Sequence, residues 1–129
     1  MLKDNEAIAT IGVKKIDSAK KFYEDVLGFK PTQKGDEHEG VVVYDSGGSE
    51  LFVYQSDFAG TNKATAATWV VKDVDGTVKT LKGRGVNFEH YSFPETKLEG
   101  DVHVLGKMRA AWFKDPDGNI LAIVGETEH

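Results

Sequence analysis

Cysteine is absent from the 129 residues, so no disulfide framework, thiolate metal site or cysteine nucleophile is available. Basic charge is scarce as well. Sixteen Lys and Arg against 21 Asp and Glu give a formal net charge of -5, which argues against the basic face that nucleic acid or an anionic membrane surface requires. No apolar run approaches the length of a membrane-spanning helix, and the charged start Met1 to Glu6 leads into no apolar leader. A cytoplasmic protein with neither nucleic acid nor membrane as partner is the expectation. The glycine-rich pieces around Gly47, Gly60 and Gly83 are followed by no Gly-Lys-Ser/Thr, and no serine stands in a nucleophile-elbow context, so phosphate-loop and serine-hydrolase chemistry are unsupported.

What the chain does have is the composition of one folded domain, 40% hydrophobic and 29% charged. Ala7 to Val13 is apolar and suits a strand. Asp17 or Ser18 then caps a predicted helix through Leu27, with Ala19, Phe22, Tyr23, Val26 and Leu27 on one face and Gly28 as its stop. Phe29 to Thr32, Val41 to Tyr44 and Leu51 to Tyr54 follow as strands, the last two joined across Gly47 and Gly48. After a polar linker, Gln55 to Lys63, the order returns: a strand at Ala67 to Val71, a helix from Asp73 or Asp75 to Leu81, a strand at Val86 to Tyr91, a long polar connection from Pro94 to Gly106, and strands on either side of Asp115, Pro116, Asp117 and Gly118.

The segment Val13 to Asp17 matches Val71 to Asp75 at a spacing of 58 residues, so two copies of one βαβββ unit fit, about 7–57 and 64–126. One such sheet with a helix on one face leaves the other face bare. Pairing two predicts a single α+β domain over 1–129, a curved mixed eight-stranded sheet around a cavity with the helices outside. Completing that curve between subunits would make a homodimer.

The stretch Phe22 to Gly28, the duplication, and Asp115 to Asn119 ahead of the last strand resemble the glyoxalase / bleomycin-resistance / extradiol-dioxygenase superfamily, the vicinal oxygen chelate proteins. The resemblance implies a trough in which His, Glu or Gln, one from the first and last strand of each unit, hold a divalent ion that polarises substrate oxygens. Transferred position by position it falls on Ile8, Leu51, Ala67 and Ala122, none of which binds a metal. Glu50, beside Leu51, is the one ligand-type neighbour and is expected to point to the opposite face. The expectation is therefore a member without the usual metal and without a cofactor. Its apolar cavity would bind a small hydrophobic or aromatic molecule, as bleomycin-resistance-like members do. Two alternatives stand beside it: a lyase or isomerase that is metal-independent or uses an off-pattern metal site, and a structural or regulatory dimer with a vestigial cavity.

Strand alternation adds Trp69 as an aromatic cavity wall and Gln55 as a polar contact, with Phe52, Tyr54 and Val70 turned toward the helices. Arg109 stands in an otherwise apolar strand and suits an anionic ligand group, a solvent edge or a dimer salt bridge. His90, His103 and Glu89 are the weak catalytic candidates, with Glu89 or Asp101 orienting a histidine base under a lid formed by residues 94–106. His38 is expected in a solvated acidic loop and His129 at a disordered end.

Overall fold

Alternating apolar residues and tight glycine turns dominate the second half, and the computed structural model, which describes residues 1–126, makes strands of them. The elements are β1 (Ala9–Val13), α1 (Ile16–Lys20, continued by π-helical turns over Lys21–Val26), β2 (Val41–Ser46), β3 (Ser49–Gln55), β4 (Thr65–Val70), α2 (Val74–Gly83), β5 (Phe88–Glu89), β6 (Lys97–Glu99), β7 (Val102–Leu105), β8 (Met108–Lys114) and β9 (Ile120–Glu126). This is the α+β architecture of two paired units read from the sequence. His129 lies outside the described residues.

The strands form two sheets rather than one. In the first, β3 lies between β1, to which it is parallel, and antiparallel β2; the second runs β4-β9-β8-β7-β6, with β5 also paired to β8. The sheets meet where β1 lies beside β4, and they do not close into a barrel. Among the described residues no helix is long and apolar enough to cross a membrane.

Several local expectations change. The first helix begins at Ile16 after extended Lys15 with no side-chain cap, whereas Asp73 caps α2 by accepting from the Gly76 N–H at 2.9 Å. Phe29 to Thr32 contributes one bridge, Pro31 to Tyr44, instead of a strand, and Val86 to Tyr91 keeps only the two residues of β5. The connection 94–106 is not a loose lid. Lys97 to Glu99 and Val102 to Leu105 pair as a hairpin, turned by Gly100 at φ 64°.

One core serves both units. Ile11, Leu51, Val53 and Tyr44 meet Ala67, Leu81, Phe113 and Leu121 in it, with Ala19 and Tyr23 of the first helical segment packed between. The polar clasp at its edge is the Asp115 turn. Tyr23 Oη donates to Asp115 Oδ2 at 2.8 Å, as does Asn119 Nδ2, which also donates to the Gly12 carbonyl at 2.8 Å. Asp117 and Asn119 N–H groups fill Asp115 Oδ1 at 3.0 and 2.9 Å, and Asp117 Oδ2 accepts from the Lys14 N–H at 3.0 Å. The turn thus fastens the second unit's hairpin to the first unit's strand and helix.

Candidate functional site

Burial and register give each sheet a helix-covered face and a bare one. Leu51, Val53, Ala67, Leu121 and Ile123 belong to the helix-covered core, whereas Thr10 pairs with Phe52 and Thr68 with Ala122 on the opposite face. The inward assignment of Leu51 and Ala67 is therefore reversed by one residue, and Phe52, Tyr54 and Val70 face away from the helices. The reason is physical: β3 carries large apolar side chains on both faces, so no polar alternation fixes the register, and a slip of one residue inverts every side chain. Half-buried Ile8 precedes β1 in phase with Thr10, and Ala122 keeps its predicted face.

Thr10 and Thr68 stand 58 residues apart, the repeat spacing, so Thr10, Phe52, Thr68 and Ala122 are the symmetric four on the bare face. Two hydroxyls, a phenyl ring and a methyl group offer no imidazole and no carboxylate, and this donor set does not fit a divalent ion. Glu50 shares the face of Phe52, contrary to the sequence reading, but is engaged by Lys34 Nζ at 2.7 Å. Glu89, His90 and His103 do not converge into a ligand set, and no group of three such side chains does so among the described residues.

What the bare face of the second sheet carries is aromatic. His103 on β7 lies opposite Ala110 and diagonal to Trp112, which β9 places beside Ala122. The His103 ring is 3% exposed and packs edge-on against Trp112 at 4.9 Å, with Tyr91 and Phe93 at 6.2 and 6.1 Å. Its Nε2 accepts the Tyr91 N–H at 2.9 Å, which fixes the tautomer: the ring proton sits on Nδ1. Among the described residues that buried Nδ1 has no hydrogen-bond partner, and neither has buried Tyr91 Oη. Burial, reinforced by the nearby Glu89 carboxylate, pushes the Tyr91 phenol up, so it keeps its proton. A cavity of about 330 Å³ opens beside these rings, lined by His90, Tyr91, Ser92, Phe93, Thr96, Leu98 and His103.

At the rim His90 Nε2 meets Asp101 Oδ1 at 2.7 Å, and Asp101 Oδ2 meets Lys82 at 2.6 Å. The hydrogen bonds from Lys82 and His90 hold the Asp101 carboxyl below the usual carboxylate range. Asp101, not Glu89, is thus the partner of His90; Glu89 pairs with Lys114 at 3.5 Å. The remaining sequence candidates lie elsewhere. Trp69 is on the helix-covered face, its Nε1 donating to Ser46 Oγ at 2.9 Å, in an apolar cleft of about 170 Å³ with Leu27, Phe29, Leu81 and Phe113 among its walls. Gln55 is exposed at the end of β3, and Arg109 bonds Asp75 at the start of α2 at 2.8 Å. Tyr91, Phe93 and Trp112 escaped the sequence reading, although counting back from the Asp115 turn in hairpin register would have set Trp112 beside Ala122.

Paired βαβββ units with a bare, curved sheet face define the glyoxalase class of fold. Solved structures similar in fold include a glyoxalase/bleomycin resistance protein/dioxygenase from Alicyclobacillus acidocaldarius, 20% identical, with TM-score 0.69, 97% of this chain and 93% of that one covered. A genomically encoded fosfomycin resistance protein from Listeria monocytogenes is 13% identical, with TM-score 0.67 over 95% of this chain and 93% of that one. A virulence protein from Salmonella typhimurium is 18% identical, with TM-score 0.66 over 98% and 100%. Comparison with curated proteins gives no match. The sequence matches the Glyoxalase/Bleomycin resistance protein/Dioxygenase superfamily over residues 7–123, and the chain belongs to it.

Proposed function

We propose that this protein binds a small aromatic molecule on the bare face of its second sheet and holds it without a metal ion. The observation that carries the reading is the buried His103 ring caged by Tyr91, Phe93 and Trp112 beside a cavity of ligand size. Ala122, where the resemblance implies a metal-ligating side chain, is instead a small apolar residue in register with Trp112. A thermal-shift screen with monocyclic aromatic compounds tests the proposal. Binding is expected to raise the melting temperature of the wild type, to be lost in Trp112→Ala, and to persist in Trp69→Ala, whose ring lines the other face. A screen in which Trp69→Ala loses binding and Trp112→Ala retains it would move the site to the helix-side cleft.

One observation favours a second reading, a metal-independent lyase or isomerase: His90, held by Asp101, lines the same cavity and has the geometry of an oriented base. Deuterium exchange into a bound ketone, lost in His90→Asn, is its expected signature. A cytoplasmic homodimer completes the proposal. Val70, 82% exposed, and Tyr54, 41% exposed, leave apolar surface on the bare face that a second copy could cover, and sedimentation velocity reads the oligomeric state.

A further inference from the structure

We infer that Lys82 of α2 is a positioning residue for His90, acting through Asp101 to leave Nδ1 as the one nitrogen of that ring able to take a proton. The inference rests on the second reading above, in which His90 is a base, and adds the atom that acts and the residue that holds it. Three segments far apart in the chain meet here: the last turn of α2, the residue after β5, and the turn between β6 and β7. Asp101 gives one oxygen to each neighbour, Oδ2 to Lys82 Nζ at 2.6 Å and Oδ1 to His90 Nε2 at 2.7 Å. Its side chain is 13% exposed against 56% for Lys82 and 51% for His90, so the carboxylate is the enclosed member of the three.

This bonding fixes the tautomer. Ion-paired to Lys82, Asp101 is a carboxylate and can only accept, so a neutral His90 ring carries its proton on Nε2 and its free lone pair on Nδ1. His103 is held the other way round, its Nε2 already accepting from the Tyr91 N–H. Of the two histidines that line the cavity, only His90 keeps an unspent lone pair. When Nδ1 takes a proton from a carbon next to a ligand carbonyl, the C–H electron pair moves onto the carbonyl oxygen, and the imidazolium that forms is hydrogen-bonded to Asp101. The same nitrogen returns the proton, and nothing is oxidised or reduced. A carboxylate anchored through one oxygen to α2 cannot swing the other away from the ring, and that restraint is what Lys82 supplies.

Proton exchange of phenylacetone in deuterium oxide, followed by NMR with the full chain at rising ligand concentration, tests the inference. The wild type is expected to exchange the protons between ring and carbonyl. Lys82→Met is expected to lower the maximal rate about tenfold with the half-saturating concentration unchanged, and Lys82→Arg, which keeps a donor for Asp101, to recover most of it. Lys79→Met removes another exposed cation of the same helix and is expected to exchange at the wild-type rate. Melting curves establish that each variant is folded. A maximal rate unchanged in Lys82→Met overturns the inference and leaves the base reading standing, and an equal loss in Lys79→Met overturns it by showing a general charge effect. A rise in the half-saturating concentration alone would make Lys82 a binding contact instead. No exchange by the wild type removes the base reading and the inference together. Independently of any turnover, a long-range nitrogen NMR spectrum at about pH 8 that places the His90 proton on Nδ1 would contradict the assignment.

Discussion

Two buried polar side chains, Asp115 and His103, show how differently this chain treats its polar interior. Every oxygen of Asp115 is met: Tyr23 Oη, Asn119 Nδ2 and the N–H groups of Asp117 and Asn119 make four hydrogen bonds to it. Burial and the Asp115 carboxylate push the Tyr23 phenol far up, so the hydroxyl remains the donor. Asp115→Ala leaves those donors unmet in the core and is expected to cost about 3 kcal/mol; Tyr23→Phe, which removes one donor and keeps the ring, about 1 kcal/mol. Urea unfolding reads both, and equal losses would show that the clasp is not centred on Asp115. Among the described residues His103 is hydrogen-bonded on one side only, through Nε2 to the Tyr91 N–H, which sets it apart from the fully met Asp115.

Asp101 belongs to the same scale and carries a pH signature. Its carboxyl titrates lower in the folded protein than in the unfolded chain. Its contribution is therefore full above the unfolded pKa and lost as pH falls through the folded one. The stability difference between wild type and Asp101→Asn is expected to shrink as pH falls below about 4. A difference that stays unchanged through that acid range would contradict the lowered carboxyl of Asp101.

At the scale of elements, most of the strands and both helices were legible because their signals are local. Gly28 at φ 85° ends the first helical segment, Gly47 and Gly48 turn β2 into β3, and Asp73 caps α2 as one of the two residues expected to do so. Asp73→Ala is expected to lower stability by about 1 kcal/mol, seen as a reduced urea midpoint with unchanged slope. The hairpin of β6 and β7 was missed because Lys97 to Glu99 is short and exposed, so its pairing with Val102 to Val104 is set by the neighbouring sheet rather than by its own pattern. The direction in which β3 and β4 present their side chains was missed for the opposite reason: both faces are apolar, and only the parallel pairings with β1 and β9 settle the phase.

At the scale of the molecule, the duplication told that two units pair but not how they hold together. Tyr23 lies 92 positions from Asp115, and Gly12 107 from Asn119, and no spacing in the sequence marks such partners. The candidate site was half legible on the same ground: His103 and His90 drew notice as residue types, whereas the rings around them come from the loop after β5 and from β8. Because one core spans both units, neither 1–57 nor 64–126 is expected to fold alone, and circular dichroism of each fragment checks this. A native-like spectrum from either fragment would refute the shared core.

The clasp also makes the segment between β3 and β4 a tether. Joined by it, the two halves meet at the high effective concentration of a short linker; cut within residues 61–64, they would have to find each other from solution. A protein nicked there is expected to keep its fold while its melting temperature becomes dependent on its own dilution, so that the single chain owes part of its stability to mere proximity.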